Sequence, residues 1–240
     1  MSEYYRAYEE RYRIVHAVTD ELWGHSPEDE AFVQTLTDWV NDNRLLGRRV
    51  IEFACGEGAS APVLADLGCV YQGVDIAPTA IGIAKKLAGD RANVSFDVLD
   101  MVHQSPGTGE YDAALDVSGL HMLVTDQDRA AYLMNVYEAL KPGGCAMFWQ
   151  ESYRRDAYEG EVADIDAWKR ETGLDFDTPE KRRIGEGQEV MLKLLPARPK
   201  NEAGYRAEME RAGFVVDEFL ELGESDFIAL SACIKVHRPL

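Results

Sequence analysis

The run VIEFACGEGAS, Val50 to Ser60, joins a strand pattern to a glycine turn. Apolar residues on both sides of Glu52 predict a buried strand, and Gly56 with Gly58 predict a tight turn at the start of a helix. In open α/β sheets, ligands bind in the crevice at the carboxyl ends of the strands. The turn is therefore expected to form the floor of a binding site.

Short apolar runs alternate with helical segments as far as Gln150. The runs are RVIEFA, VYQGVD, NVSFDVLD, YDAALDV and GCAMFWQ. Parallel neighbouring strands need a long crossover, so this alternation predicts a doubly wound α/β core with a mostly parallel sheet. Two later runs, FVVDEFLEL and DFIALSACIKVH, lie close enough together to pair as a C-terminal antiparallel hairpin.

The length of 240 residues fits a single domain. We expect a helical cap over residues 1–47, a ligand-binding core over 48–150, an insert over 151–200, and a final helix and hairpin over 201–240. The cap is predicted to hold a helix over 3–22 and a second helix with Ser26 as its N-cap. The insert is predicted to hold a helix near 162–170 and no clean strand, and such inserts often form lids.

The composition argues against several classes of partner. The formal net charge is -18 and the pI is near 4.6, so nucleic acid is not an expected partner. No window approaches the roughly 20 apolar residues of a membrane span, which favours a cytoplasmic protein without a membrane partner. The 4 cysteines lie far apart with no histidine at ligand spacing, so no metal site is expected.

The glycine turn by itself leaves two classes of cofactor open. Gly56, Gly58 and Ala61 satisfy the spacing of a dinucleotide-binding turn. Asp75 ends the second predicted strand and would accept hydrogen bonds from the hydroxyls of a ribose, in NAD or in an adenosine cofactor. An NAD(P)-linked oxidoreductase is therefore one interpretation. Glu52 argues against it, because a buried carboxylate is costly without specific partners.

An ordered series of segments carries more information than the turn. The segments VIEFACGEG, GVDIAPTAIGIAKK, VSFDVLDM, YDAALDVSGLHML, LKPGG and ERAGF follow one another at ordinary spacing. This order resembles the class I S-adenosylmethionine-dependent methyltransferases, strongly over residues 45–150 and more loosely over 201–238. The resemblance implies a seven-stranded sheet, S-adenosyl-L-methionine as the cofactor, and a cap and insert that close over the site.

The resemblance also implies which residues bind the methyl donor. They are Glu52, Ala54, Gly56, Gly58, Asp75, Ile76, Asp100, Met101 and Asp116. The turn would take the methionine part of the donor, and Asp75 would take the ribose. Asp100 and Met101 would meet the adenine edge. Ala54 departs from the family, which usually has glycine there, and alanine fits if its φ angle is negative.

Methyl transfer from a sulfonium is an in-line displacement, for which the protein aligns two reactants and removes a proton where needed. The catalytic candidates are His121 and Asp116, at the carboxyl end of the fourth predicted strand. An imidazole, with a usual pKa near ~6.5, can take a proton at neutral pH. The alternative is that His121 is a hydrogen-bonded residue of the cavity wall.

Tyrosines mark the expected acceptor side. Tyr5, Tyr8 and Tyr12 share one face of the first predicted helix, and electron-rich rings suit a cationic sulfonium or an amine. With His121 and with Tyr153 of the insert, they are the predicted substrate-binding residues. Ordinary aromatic burial is the competing explanation for the stripe.

These observations predict a methyltransferase that acts on nitrogen or oxygen of a small-molecule metabolite or natural product. A non-catalytic S-adenosylmethionine-binding protein on the same fold is an alternative, beside the oxidoreductase. Whether the protein forms a homo-oligomer is left open.

Overall fold

The computed structural model describes residues 3–184, 187–223 and 229–240. The helices are α1 (Ala7–His16), α2 (Glu30–Asp42), α3 (Ser60–Asp66), α4 (Pro78–Ala88), α5 (Asp126–Ala139), α6 (Ile165–Thr172) and α7 (Glu202–Arg211). The strands are β1 (Arg49–Phe53), β2 (Val70–Asp75), β3 (Val94–Val98), β4 (Tyr111–Val117), β5 (Leu140–Ser152), β6 (Glu180–Ile184), β7 (Gln188–Leu192), β8 (Val215–Leu222) and β9 (Ser231–His237). Short 3-10 turns cover Tyr4–Arg6 and Leu120–Met122.

The main sheet has seven strands in the order β3-β2-β1-β4-β5-β9-β8. The first five are parallel, whereas β9 runs antiparallel to both β5 and β8. The predicted doubly wound sheet with a C-terminal antiparallel hairpin is therefore confirmed. The order reverses between β1 and β4, and this is the point at which open α/β sheets bind ligands.

Different helices cover the two faces of the sheet. One face packs against α2, α3 and α4, with Phe32, Leu36, Leu64, Ile81 and Met147 in its core. The other packs against α5 and α7, with Phe53, Tyr132, Leu133, Phe148 and Met209 in its core. Strand β1 lies between them and is buried from Val50 to Phe53, as expected for a central parallel strand.

The N-terminal helices differ in their bounds from the prediction. Helix α1 ends at His16 rather than near residue 22. Helix α2 begins at Glu30, and Asp29 is its N-cap, with one carboxylate oxygen accepting from the backbone N–H groups of Ala31 and Phe32. Ser26 instead accepts a hydrogen bond within the preceding turn. Both residues have the right chemistry for a cap, and the position of the apolar face on the core decides between them.

The insert contains a strand pair that the sequence analysis did not predict. Strands β6 and β7 pair antiparallel, and the run EKRRI of β6 is too charged to show a strand pattern. Val190 and Leu192 of β7 are buried against Val15 of α1, and this apolar contact holds the pair. Helix α6 lies close to the predicted position. The four-part division of the chain stays a prediction.

Helix α1 also contacts the core of the domain. The Glu9 carboxylate accepts hydrogen bonds from the backbone N–H (3.0 Å) and the hydroxyl (2.7 Å) of Thr79, at the start of α4. The cap and the insert thus meet above the carboxyl ends of the parallel strands. No helix among the described residues is long and apolar enough to cross a membrane.

Candidate active site

A cavity of about 930 Å³ opens above the carboxyl ends of β1, β2, β4 and β5. Among its lining residues are twelve that the sequence analysis proposed: Tyr5, Tyr8, Tyr12, Glu52, Ala54, Gly56, Asp75, Ile76, Asp100, Met101, His121 and Tyr153. The structure therefore brings these residues to one site. Gly58 and Asp116 lie outside the lining.

Asp75 and the glycine turn are joined by hydrogen bonds. The backbone N–H of Gly56 donates to Oδ2 of Asp75 over 2.8 Å, and the N–H of Ala77 donates to Oδ1 over 2.8 Å. Each oxygen keeps a free lone pair, so the carboxylate can still accept from a pair of hydroxyls. Burial raises the pKa of Asp75 to about 6.

Glu52 is buried beneath the turn with a partner for each oxygen. Ser60 donates its hydroxyl to Oε1 over 2.9 Å, and the Tyr71 hydroxyl donates to Oε2. Burial raises the pKa of Glu52 to about 7, although the two hydrogen bonds act in the opposite direction. The side chain braces the turn and also faces the cavity.

Asp100 holds the loop after β3. Its Oδ1 accepts from the backbone N–H of Val102 over 3.2 Å, and its Oδ2 accepts from Arg6 over 2.7 Å. Met101, which follows it, places its sulfur 2.9 Å from the backbone nitrogen of Ala54. The loop is therefore fixed against the glycine turn on the side where a ligand base would lie.

Ala54 has a φ angle of +53°, so the condition set for alanine at this position is not met. The same left-handed conformation occurs at Ser118 (φ +63°) and Gln150 (φ +57°). Ala54 follows β1, Ser118 follows β4, and Gln150 lies near the end of β5. All three line the cavity. A left-handed conformation costs an L-residue about 1 to 2 kcal/mol, and such strain tends to collect at functional sites.

Gly58 has a packing role in this structure. A Cβ atom on Gly58 would lie 2.7 Å from the Cβ of Ala84 and 3.1 Å from the ring of Phe96. The residue therefore lets the turn approach α4 and β3, and it does not face the cavity. Its contact with the donor stays a prediction from the sequence.

Asp116 is buried behind the cavity wall. Its Oδ1 accepts from the N–H of Gly119 over 2.6 Å, and its Oδ2 accepts from the hydroxyl of Tyr132 over 2.7 Å. Burial and the neighbouring Glu151 carboxylate raise the pKa of Asp116 well above its usual range. Direct contact of Asp116 with a ligand stays a prediction from the sequence, and in this structure its side chain lies outside the cavity lining.

His121 lines the cavity and is held from behind by Glu151. Oε2 of Glu151 lies 2.7 Å from the backbone nitrogen of His121 and 2.9 Å from its Nδ1. With a proton on Nδ1, both bonds can form, and Nε2 then carries a free lone pair. Such an imidazole is suited to accept a proton from a ligand.

The tyrosines of α1 and the preceding turn reach different parts of the cavity. The Tyr8 hydroxyl contacts the sulfur of Met122, next to His121. The Tyr12 hydroxyl lies over the glycine turn, since a Cβ atom on Gly56 would be 2.8 Å from it. Tyr5 places its hydroxyl 3.1 Å from Nδ1 of His103 at the far end. The three tyrosines therefore line the cavity at different positions.

Sequence reasoning missed a group of cavity residues in the cap. The guanidinium of Arg11 lies 4.3 Å above the ring of Trp23, and its Nε is buried without an acceptor in the described ranges. His25 stacks on Phe32 with ring centroids 4.8 Å apart, and burial lowers the pKa of His25. The only signal in the sequence is the aromatic content of residues 23–32, which does not show where the loop folds.

Comparison with known proteins identifies relatives for the core of the chain. Residues 50–144 match a family model described as a methyltransferase domain. A 2-heptyl-1-hydroxyquinolin-4(1H)-one methyltransferase from Mycobacteroides abscessus is 35% identical over 96 residues, which cover 39% of this chain and 42% of that protein. A ubiquinone biosynthesis O-methyltransferase from Thiobacillus denitrificans is 24% identical over 203 residues, covering 83% and 76%. The chain spans about half the length of most of the curated relatives it matches.

Solved structures share the fold at low sequence identity. A magnesium protoporphyrin IX methyltransferase from Synechocystis PCC 6803, solved with bound SAH, has a TM-score of 0.61 and 17% identity, with 95% of this chain and 93% of that chain covered. A 4+2 cyclase has a TM-score of 0.66 and 15% identity, with 98% and 96% covered. These likenesses show the fold alone, and the second one shows that the fold hosts different reactions.

Proposed function

This chain belongs to the class I S-adenosylmethionine-dependent methyltransferases, and we propose that it transfers a methyl group from S-adenosylmethionine to a hydroxyl oxygen of a small planar acceptor. The observation that carries this proposal is the pair of His121 and Glu151 on the cavity wall. A hydroxyl must lose its proton on transfer, whereas many amines react as the neutral form. A histidine with a free Nε2 meets that need.

The donor fits the residues at one end of the cavity. Asp75 offers carboxylate lone pairs to the ribose hydroxyls, and the loop of Asp100 and Met101 flanks the space for adenine. The methionine part would lie along the glycine turn at Gly56. Its carboxylate needs a cation there, and we assign Arg11, whose ring partner Trp23 packs against Tyr12 over this turn.

The acceptor would occupy the other end. A single ligand site commonly measures about 300 to 1000 Å³. The cavity of about 930 Å³ lies at the upper end of that range, which supports a donor and a small acceptor side by side. Tyr8, Phe32, Leu194 and Tyr153 line it with flat or apolar surface, which suits a planar ring system.

The reaction would proceed as one displacement. The acceptor hydroxyl gives its proton to Nε2 of His121 while its oxygen bonds to the methyl carbon. The carbon–sulfur bond breaks, its electron pair stays on sulfur, and S-adenosylhomocysteine is the second product. Glu151 stabilises the imidazolium that forms, and alignment of the two reactants supplies most of the rate.

The names of the curated relatives favour a ring hydroxyl. One relative is described as acting on a hydroxyquinolinone and the other as an O-methyltransferase of ubiquinone biosynthesis. The first name contains a hydroxyl on a ring nitrogen, whose proton is more acidic than that of an alcohol, and the second names oxygen as the methylated atom. This chemistry matches a histidine base better than a strongly basic one.

A product screen tests the proposal. The protein is incubated with trideuteromethyl-labelled S-adenosylmethionine and matched sets of phenols, hydroxyquinolinones, N-hydroxy heteroarenes and aromatic amines, and products are measured by mass spectrometry. We expect labelled products from the hydroxyl compounds. If only the amines are labelled, the acceptor atom is nitrogen and the proposal of oxygen is wrong. Calorimetry that finds binding of S-adenosylhomocysteine but a screen without any product would favour the non-catalytic binding protein.

A further inference from the structure

Glu151 reaches its position through an irregularity in β5. Phe148 pairs with Ile234 of β9, but the next pair is Glu151 with Ala232, so β5 contains one extra residue at this point. Gln150, with φ +57°, lies in this bulge. In a regular strand Glu151 would share a face with Trp149, because side chains alternate. The bulge turns it to the face of Phe148.

The environment of Glu151 confirms this orientation and leaves one atom unexplained. The residue is 0% exposed, and its Oε2 faces the backbone nitrogen and the Nδ1 of His121. Its Oε1 is buried and has no hydrogen-bond donor among the residues that the structure describes. Leaving a buried polar atom without a partner is unfavourable, so a donor is expected there.

We propose that Glu151 is the positioning residue for His121, and that the carboxyl group of Asp116 donates its proton to the free oxygen of Glu151, so that the pair carries a single negative charge. The inference rests on the proposed function, because it explains how His121 is prepared to accept a proton. It also gives buried Asp116 a role without contact to a ligand.

The charges of the two acids support this arrangement. Asp116 of β4 pairs in register with Phe148 of β5, and the bulge turns Glu151 to the face of Phe148, so the two buried acids share one face of neighbouring strands. Two such carboxylates cannot both ionise without a large cost, so one of them holds a proton. The pKa of Asp116 is raised by its burial and by the Glu151 carboxylate, which places the shared proton on Asp116. Glu151 then accepts a hydrogen bond from the N–H at Nδ1 of His121.

The other charged groups around His121 already have partners. Arg129 of α5 is buried and forms a two-point ion pair with Glu208 of α7 (2.6 and 2.9 Å). Its remaining nitrogen donates to the carbonyls of Leu120 and Leu123. Arg198 donates its backbone N–H to the carbonyl of His121, while its side chain binds Asp126. Of the nearby phenols, Tyr132 donates to Asp116 and Tyr205 donates to the carbonyl of Ser152.

The tautomer of His121 gives a test that does not depend on any acceptor. Ring nitrogens are observed by ¹⁵N NMR in the protein bound to S-adenosylhomocysteine, and His121→Gln assigns the signal. We expect the proton on Nδ1 in the native protein. In Glu151→Leu, which removes the acceptor at Nδ1, we expect the proton on Nε2. Glu208→Gln is the matched control, because it removes a buried acid of the same network that does not contact His121, and it should keep the native tautomer.

A second variant tests the role of Asp116. Asp116→Asn supplies a permanent donor to Glu151, so His121 should keep its proton on Nδ1. A native protein with the proton on Nε2, or the same tautomer in the native protein and Glu151→Leu, would overturn the inference. Loss of the Nδ1 proton in Asp116→Asn would show that Asp116 does not have the proposed role. If Glu151→Leu does not fold, the native and Asp116→Asn spectra still decide these points.

Kinetic measurements supply a second test once an acceptor is known. Glu151→Gln should lower kcat by about 100-fold with little change in KM, because general base catalysis contributes about 100-fold or more. Glu151→Asp should recover part of the loss. An equal loss in Glu208→Gln would show that the network only stabilises the fold. A screen that finds no acceptor would contradict the proposed function, and it would not affect the NMR result.

Discussion

Ala54 and Gly119 approach each other so closely that a Cβ atom on Gly119 would lie 2.7 Å from the Cβ of Ala54. The same Cβ would lie 2.5 Å from Oδ1 of Asp116. The ends of β1 and β4 therefore have room for one methyl group, and Ala54 supplies it from a strained left-handed conformation.

This contact predicts the effect of exchanging the two small residues. Ala54→Gly should stabilise the protein by about 1 kcal/mol, because glycine adopts a positive φ without strain. Gly119→Ala should destabilise it by about 1 to 3 kcal/mol through overpacking. In the double variant the loss should be smaller than in Gly119→Ala, yet not abolished, because the Asp116 contact remains. Urea denaturation measures all three, and strictly additive effects would contradict the contact.

Asp75 should dominate the affinity for the donor. Asp75→Ala removes a charged acceptor from two ribose hydroxyls, and each such bond contributes about 1.5 to 3 kcal/mol. The Kd for S-adenosylhomocysteine should rise at least tenfold in calorimetry. Asp97→Ala is the control, because Asp97 is an exposed acid on the neighbouring strand β3 and lies outside the cavity. An unchanged Kd in Asp75→Ala would exclude Asp75 from the donor site.

The series of strands was predictable from the sequence, and so was most of the cavity floor. Periodicity located β1 to β5 because buried parallel strands are short apolar runs. Asp75 is the last residue of β2, and His121 lies in the short 3-10 turn after β4. Glu151 could not be found in this way. Its face is set by the bulge at Gln150, and one extra residue reverses the alternation on which the prediction depends.

The cap was less predictable for a different physical reason. Residues 17–29 hold no helix, and their conformation is set by contacts with distant parts of the chain. Trp23, for example, donates its backbone N–H to Glu57 over 2.7 Å. Contacts of this range leave no periodic pattern, so the position of Arg11 above Trp23 was not foreseen.

The ligand-free protein should lose stability as the pH rises from about 4 to 7. The pKa of Glu52 is raised by burial to about 7 and that of Asp75 to about 6, so the folded state binds protons that the unfolded state has released. The stabilisation is complete below the usual pKa of these groups and is lost as the pH passes their raised values. A tenfold difference in proton affinity between the folded and unfolded states corresponds to about 1.4 kcal/mol.

Glu52→Gln isolates the contribution of Glu52 to this pH dependence. The amide cannot ionise, so the variant should melt at a higher temperature than the native protein at pH 8 and at a similar temperature at pH 5. Glu138→Gln is the matched control, because Glu138 is exposed on α5, and it should leave the pH dependence of melting unchanged. A native protein that is more stable at pH 8 than at pH 5 would contradict the raised pKa values.

Arg11 should contribute to donor binding through the carboxylate of the methionine part. Arg11→Met keeps the apolar contact with Trp23 and removes the charge, so the Kd for S-adenosylhomocysteine should rise by about tenfold, or about 1.4 kcal/mol. Arg13→Met is the control, since Arg13 lies on the exposed side of the same helix and pairs with Glu10. If only the KM of the acceptor rises, Arg11 binds an anionic group of the acceptor instead.

Substitutions of Tyr8 and Tyr12 should affect different ligands, although both residues lie on α1 and were predicted to bind the substrate. The Tyr12 hydroxyl lies over Gly56, so Tyr12→Phe should weaken binding of S-adenosylhomocysteine by about threefold to tenfold, the range for one neutral hydrogen bond. Tyr8 contacts Met122 beside His121, so Tyr8→Phe should lower kcat/KM for the acceptor by a similar factor and leave donor affinity unchanged. Tyr158→Phe, outside the cavity lining, should change neither quantity. If Tyr8→Phe changes the Kd of the donor and the kcat/KM of the acceptor by the same factor, α1 stabilises the fold as a whole and does not contact the acceptor selectively.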